Sequence, residues 1–244
     1  MRLLIDAGNT RIKWALVNRE DWLRSGVVPV EQSDELPRLF PESQDIQQIW
    51  VSNVAGEKVA QHIHKIGINK SQLHFVVAQE EQCGVRNSYS NATQLGSDRW
   101  AALIAAWHLV QGKCLVVNSG TATTIDTLSE RGEFLGGLIL PGVELMQRSL
   151  VDAANQLKSE RGDYMPFPLK SADAIYSGAI QASCGAIERQ YSLLNDAGAQ
   201  VLLSGGVAGL LQPHFNQKLF SVPPLIVDNL VLQGLLLMAQ EANA

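Results

Sequence analysis

Cysteine is scarce in this chain of 244 residues: Cys83, Cys114 and Cys184 are odd in number, widely spaced and in no Cys-x-x-Cys pair. A disulfide framework and a thiolate zinc site are both excluded by that pattern, and the three thiols read as core or incidental. Positive charge is scarce too. The formal net charge is −5, the pI is near 5.5 and no run of five basic residues occurs, so a nucleic-acid partner held on a basic face is not expected. Long apolar runs are also missing. None approaches the roughly twenty residues of a membrane span, and the apolar start is interrupted at Asp6, too soon for a secretory signal. The expectation is a cytoplasmic protein that uses neither nucleic acid nor membrane. With 46% hydrophobic residues the chain can bury a core of one large or two small domains.

What is there begins at Leu3. The stretch Leu3-Leu4-Ile5-Asp6-Ala7-Gly8-Asn9-Thr10-Arg11-Ile12-Lys13-Trp14-Ala15-Leu16-Val17 sets a short polar loop between two apolar runs, which predicts a strand, a tight turn and an antiparallel strand. Gly8 keeps side-chain bulk away from a ligand, Asn9 and Thr10 offer an amide and a hydroxyl, and successive N–H groups in such a turn suit an anion. A phosphate fits that description. Asp6 cannot face a bare phosphate, so its partner would be a Mg²⁺ carried by a nucleotide, reached through the water around the ion. Lys13 would offset phosphate charge. The same residues equally suit an ordinary hairpin with Asp, Gly and Asn as turn formers.

Recurrence separates the two readings. Cys114-Leu115-Val116-Val117-Asn118-Ser119-Gly120-Thr121-Ala122-Thr123-Thr124-Ile125-Asp126-Thr127-Leu128 repeats the grammar, with Asn118 where Asp6 stands. Trp50-Val51-Ser52-Asn53-Val54-Ala55-Gly56 is echoed by Leu202-Leu203-Ser204-Gly205-Gly206-Val207-Ala208-Gly209, each closing on Val-Ala-Gly. The second half is longer by about forty residues, the mark of a duplicated domain with an insertion rather than a solenoid.

Between the repeats, Trp22 to Val28 predicts a third strand, the polar stretch Glu31 to Gln48 with its two prolines carries a short helix, Ile49 to Val54 predicts a strand, Glu57 to Ile66 a helix closed by Gly67, and Leu73 to Val77 a strand. His62 and His64 lie two apart on that helix and read as solvated rather than as metal ligands. The polar segment Asn87 to Gly96 runs into a helix whose apolar positions Trp100, Leu103, Ile104 and Trp107 follow helical spacing, with Ser97 as N-cap and Gly112 as terminator. Asp98 at its start is either a first-turn carboxylate favoured by the helix dipole or a general base with Arg99 beside it. Farther on, Phe134 to Leu140 predicts a strand in which Gly136 and Gly137 allow close approach or tight packing. Val143 to Leu157 and Ala174 to Ala197 predict helices around a loop from Glu160 to Lys170, Leu225 to Val227 a last strand, and Asn229 to Glu241 a final helix.

Two such halves resemble the actin, sugar kinase and Hsp70 superfamily, which implies an α/β fold. Its duplicated ribonuclease-H-like (actin-like ATPase) half-domains have mixed five-stranded sheets flanked by helices, with an ATP cleft between them. The halves would be 1–113 and 114–244, the second with a helical insertion at about 143–197. In combination, Asp6-Ala7-Gly8-Asn9-Thr10, Leu95-Gly96-Ser97-Asp98-Arg99, Gly120-Thr121-Ala122, Gly136-Gly137-Leu138-Ile139-Leu140-Pro141-Gly142 and Ser204-Gly205-Gly206 resemble, in order and over nearly the whole chain, the type III pantothenate kinases.

That resemblance implies ATP-dependent phosphorylation of the primary hydroxyl of pantothenate, the first step towards coenzyme A, with MgATP as donor. It assigns Asp6, Ala7, Gly8, Asn9, Thr10, Arg11, Ile12, Lys13 and Thr121 to ATP and Asp98 to the proton of the hydroxyl. Tyr89, Gly96, Ser97, Asp98 and Arg99 fall to pantothenate. Lys170 to Gly178 is similar to a further family stretch in which Ser171, a position usually held by Thr, reaches pantothenate from the neighbouring subunit, implying a homodimer with composite sites. Two departures stand out. Asn118 replaces an Asp that binds the activating monovalent cation, K⁺ or NH₄⁺, and offers only a neutral oxygen. Ala92 replaces a Pro after Asn91, which should loosen the loop that holds Tyr89. Other readings are a kinase of another small hydroxy acid or sugar, an actin-like ATP-binding regulatory protein and a transcriptional regulator. The missing basic recognition helix speaks against the last.

Overall fold

The computed structural model describes residues 1–40, 45–66, 72–153 and 161–243. The chain divides into two compact units, Met1–Leu109 with Asn229–Ala244, and Val110–Asp228.

The first unit opens with β1 (Arg2–Ala7), β2 (Arg11–Asn18) and β3 (Asp21–Pro29). A 3₁₀ turn at Val30–Glu35 and α1 (Leu36–Leu39) lead to β4 (Gln48–Asn53), α2 (Glu57–His64) and β5 (Gln72–Phe75). The sheet order is β3-β2-β1-β4-β5, antiparallel among the first three and parallel from β1 to β4 to β5. β1 lies at the centre, which explains its unbroken apolar run: Leu3, Leu4 and Ile5 are all fully buried, as in a strand covered on both faces. Leu3 and Ile5 pack with Leu36, Val59 and Ile63 on one side. β6 (Glu81–Gln82) and β7 (Val85–Asn87) form a small hairpin, a 3₁₀ turn spans Ala92–Gln94, and α3 (Ser97–Val110) follows.

The second unit repeats the plan with β8 (Cys114–Ser119), β9 (Ala122–Leu128), β10 (Glu133–Pro141), α4 (Val143–Ala153), α5 (Ser171–Leu194), β11 (Gln200–Ser204), α6 (Ala208–Leu211) and β12 (Leu225–Ile226). Its strands run β10-β9-β8-β11-β12, with the same antiparallel and parallel pairings position for position. Each unit thus has the ribonuclease-H-like arrangement. The extra length sits between β10 and β11, where α4 and α5 stand in place of the short 3₁₀ turn and α1 between β3 and β4. Leu115, Val117, Ile125, Val201 and Leu203 pack against Ile180, Ile187 and Tyr191 of α5. The chain ends on α7 (Leu230–Glu241), which belongs to the first unit and packs on β1 and β4. It crosses α3 where Gly234 leaves no room for a side chain: a Cβ there would lie 1.9 Å from the Ala101 carbonyl oxygen.

Several local expectations change. Glu31 to Gln48 does carry a short helix, α1, but a 3₁₀ turn precedes it and Gln48 already belongs to β4, with 41–44 outside the described residues. Gly67, and the end of the helix expected to reach Leu157, also lie outside them, as does Glu160. α3 ends at Val110, and the next residue, Gln111, with φ of 47°, supplies the left-handed position expected of Gly112. From Arg99 to Ala106 every position is buried, Ala as well as large residues, so this stretch is enclosed rather than amphipathic, while His108 and Leu109 in the last turn are exposed. His62 is not simply solvated, since its Nδ1 lies 2.9 Å from the buried Ser33 hydroxyl. Gly136 has open space around it. Its φ of 127°, at the bulge that shifts the β9–β10 register, is what calls for glycine there.

All three cysteines are free thiols, pushed up to about 12 chiefly by burial, so none is a poised nucleophile. Among the described residues no helix is long and apolar enough to cross a membrane.

Candidate active site

The first loop is built on the β1–β2 hairpin. Asp6 ends the polar side of β1 and stands directly across from Lys13, while Gly8 N–H donates to the Arg11 carbonyl over 3.1 Å and closes the turn. Asn9, Thr10 and Arg11 are left exposed at the tip, and Gly8 is half-buried behind them. A Cβ on Gly8 would press on the Arg11 carbonyl oxygen at 3.3 Å, so the turn is tight as well as bare. On its other side β1 pairs with β4, and there Asp6 is in register with Ser52.

Asp98 joins Asp6 from α3. The first helical bond runs from Trp100 N–H to the Gly96 carbonyl at 2.9 Å, so Gly96 caps the helix and Ser97 is its first residue. The Ser97 hydroxyl is instead 2.9 Å from that of Ser52, both side chains being buried. The Asp98 carboxylate folds back so that Oδ1 accepts the Arg99 N–H at 2.8 Å. That oxygen occupies the space a Gly96 side chain would fill, 2.7 Å from an added Cβ. Electrostatics tie the two carboxylates together. The carboxyl of Asp6 is pushed up to about 7 by its burial first and by the negative charge of Asp98 second, against the downward pull of Lys13.

Arg99 is only 6% exposed, and its Nη1 donates to the Tyr89 hydroxyl at 2.9 Å with the guanidinium over the same ring. Tyr89 sits on a loop stapled by two asparagines. Asn87 Oδ1 accepts the Tyr89 N–H and its Nδ2 donates to the Ala92 carbonyl, while Asn91 Oδ1 accepts both the N–H and the hydroxyl of Thr93. These side-chain bonds fix the turn where a Pro would otherwise have stiffened it.

In the second unit Gly120 and Thr121 turn the chain between β8 and β9, with Thr121 exposed. Two glycines clamp this loop. Gly142 N–H donates to the Thr121 carbonyl at 2.8 Å, and a Cβ on Gly142 would sit 2.0 Å from the Gly120 oxygen. Gly205, with φ of 94°, lies so close that a Cβ would meet the Ser119 oxygen at 2.2 Å and Asn118 Oδ1 at 2.8 Å. Asn118 is half-buried and in register with Ser204, as Asp6 is with Ser52. Ser171 is exposed at the first position of α5.

The first unit thus holds Asp6, Lys13, Ser97, Asp98, Arg99 and Tyr89, and the second, taken by itself, holds Asn118 and Thr121. The sequence alone does not single out Ser52 or Asn87 as parts of this apparatus, and it marks Gly142 and Gly205 only as members of Gly-rich motifs, not as walls of the second loop. The echo of Ser52 and Ser204 was a usable signal for the first.

Among the described residues no cluster of three or more His, Cys, Asp or Glu could cage a metal ion. The donor set suits an ion that arrives on phosphates: Asp6 supplies one carboxylate near a second, Asp98, and a divalent cation beside them would relieve their repulsion.

Comparison with known proteins gives a consistent picture. The family model for type III pantothenate kinase matches residues 2–193. A type III pantothenate kinase of Nitrosospira multiformis is 46% identical over 99% of this chain and 92% of its own. Among solved structures, a Campylobacter jejuni protein described as a Baf family transcriptional activator superposes with a TM-score of 0.64 at 23% identity, covering 99% of this chain and 100% of the other. A Porphyromonas gingivalis protein described as an N-acetylglucosamine kinase does so with a TM-score of 0.55 at 11% identity over the whole of both chains. At these identities the structural likenesses speak for the fold alone, that of the actin-like ATPases and sugar kinases.

Proposed function

The chain belongs to the type III pantothenate kinase family, and from that membership we infer how it works. It transfers the terminal phosphoryl group of ATP to the primary hydroxyl of pantothenate, giving 4'-phosphopantothenate and ADP in the first step of coenzyme A synthesis. The cytoplasm, where ATP is held, is the compartment we propose for it.

The observation that carries the assignment of roles is the placement of Asp98 beside the end of the first hairpin: the preceding residue, Ser97, meets Ser52, which is in register with Asp6, and the charge of Asp98 helps to raise the Asp6 carboxyl. Phosphoryl transfer through a loose transition state needs in-line positioning and charge neutralisation more than covalent chemistry. In the proposed reaction Asp98 accepts the proton of the pantothenate hydroxyl, whose oxygen bonds to the γ-phosphorus while the bond from that phosphorus to the β–γ bridging oxygen breaks. Asp6 to Lys13 hold phosphate: the exposed backbone and side chains of Gly8 to Arg11 bind its oxygens, and Lys13 offsets their charge. Thr121 adds a hydroxyl from the second loop. Gly96, Ser97 through its backbone, Arg99 and Tyr89 bind pantothenate, with the buried guanidinium of Arg99 paired to its carboxylate. Mg²⁺, when bound with ATP, neutralises charge on the phosphates, and Asp6 would hold it through water. Asn118 Oδ1 is the oxygen proposed for K⁺ or NH₄⁺, and its neutrality should make that ion weakly held.

A homodimer with composite sites, in which Ser171 reaches the pantothenate of the neighbouring subunit, completes the proposal. Its test is complementation: equimolar mixing of Asp98→Asn and Ser171→Ala chains should restore turnover above either alone, and no restoration after verified subunit exchange argues against shared sites. The acceptor is tested by label transfer from γ-labelled ATP to pantothenate and to other small hydroxy acids. Label on pantothenate alone supports the reading, and label on another acid in preference to it contradicts it.

A further inference from the structure

Ser52 has no part in the chemistry above, yet its side chain is fully buried at the hinge of the site. Its backbone pairs in register with Asp6 across β1–β4, and its hydroxyl meets that of Ser97, the residue before Asp98, at 2.9 Å. We infer that Ser52 is a positioning residue for phosphoryl transfer. Its hydroxyl pins the first turn of α3 to the strand beside Asp6, and so sets where the Asp98 carboxylate and the Arg99 guanidinium stand.

The physical argument has three parts. A helix N-terminus frays unless its first turn is tied down, and here the capping side chain is a glycine, Gly96, which offers no side-chain bond. The Ser97 hydroxyl, the natural substitute for that cap, is committed to Ser52 instead. Displacements of about 1 Å at a catalytic group lower rate by as much as 10²-fold, so a single bond that fixes the register of helix and strand can matter to turnover without touching substrate. An alternative in which the two hydroxyls merely satisfy one another would affect stability and leave turnover alone.

The inference rests on the reading of Asp98 as the proton acceptor, and its test is a double-mutant cycle. The variants Ser52→Ala, Ser97→Ala and the double variant are compared by kcat, by KM for ATP and pantothenate, and by thermal unfolding. Ser52→Ala should lower kcat about ten- to hundredfold and change KM for ATP by no more than about twofold. The double variant should lose no more than the worse single one, because one shared bond is removed in every case. It leaves no orphaned buried hydroxyl and so remains the decisive variant if a single substitution fails to fold. Ser52→Thr, which keeps the hydroxyl, should recover most of the turnover.

A double variant with kcat near that of the wild type, a lowered unfolding temperature at unchanged kcat, or single losses that multiply in the double variant would each overturn the inference. Failure of the wild-type protein to phosphorylate pantothenate would sink the functional reading instead, which keeps the two outcomes apart.

Discussion

Asp6 and Ser52 face each other in register across the parallel β1–β4 ladder, and Asn118 and Ser204 repeat the pairing across β8–β11. One architectural slot, near the end of a central strand beside a parallel neighbour with a Ser at or next to its last position, is used twice with different chemistry. The first copy carries a carboxylate coupled to Asp98. The second carries a neutral amide against a glycine clamp.

The nucleotide-free protein should lose stability as pH rises. The Asp6 carboxyl is held at about 7 when folded against its ordinary value of 3.8, so the folded state keeps a proton that the unfolded chain gives up. That contribution is complete below the unfolded value and is lost as pH rises through the folded one. Asp6→Asn should therefore unfold at a higher temperature than the wild type near pH 8, by an amount equivalent to about 4 kcal/mol at most, with the gap closing towards about pH 4. A gap that is constant across pH would remove the titration of Asp6 as its cause.

Gly96→Ala should damage turnover more than stability. The new methyl meets the far end of the Asp98 side chain rather than backbone, so the carboxylate can move aside and the fold survives. Catalysis does not survive as well. A fall in kcat of at least tenfold, with the unfolding midpoint nearly unchanged, is expected from displacing a general base. Wild-type kcat in this variant would mean that the Asp98 conformation seen here is not the working one.

Gly142→Ala and Gly120→Ala make a contrasting pair. At Gly142 the added atom collides with the backbone of the second loop, whereas at Gly120 it meets nothing within 4 Å. The first variant should lose about 1–3 kcal/mol or more of stability and bind ATP less well. The second should be close to neutral in stability, and equal unfolding midpoints for the two would show that the loop can relax away from Gly142.

Much of this was legible in the chain. The strand–loop–strand grammar around Asp6 and Asn118 predicts both hairpins because the apolar runs and the Gly-containing turns are local signals. The Val-Ala-Gly echoes mark the strands β4 and β11 for the same reason, and their parallel pairing with β1 and β8 is what the structure adds. What stayed hidden depends on contacts between distant segments. That Ser97 gives up its capping role follows from Ser52, which is remote in sequence, and that Gly142 is a wall of the second loop follows from how β10 returns past it. Gly136 misled in the other direction. A glycine in a strand signals close approach or a bulge alike, and only the backbone angle decides. His62 shows the same limit, because helical spacing places it on a face without naming Ser33 as its partner.

The most direct test of the account is single-turnover phosphoryl transfer from MgATP to pantothenate by the wild type beside Asp98→Asn, in buffers containing K⁺, NH₄⁺ or only Na⁺. The account predicts 4'-phosphopantothenate from the wild type and a rate about 10²- to 10⁴-fold lower in the variant, with pantothenate binding and thermal unfolding retained. A variant that transfers phosphate at a near-normal rate would contradict the role of Asp98, and a wild type that binds ATP yet forms no product with any cation would contradict the function itself.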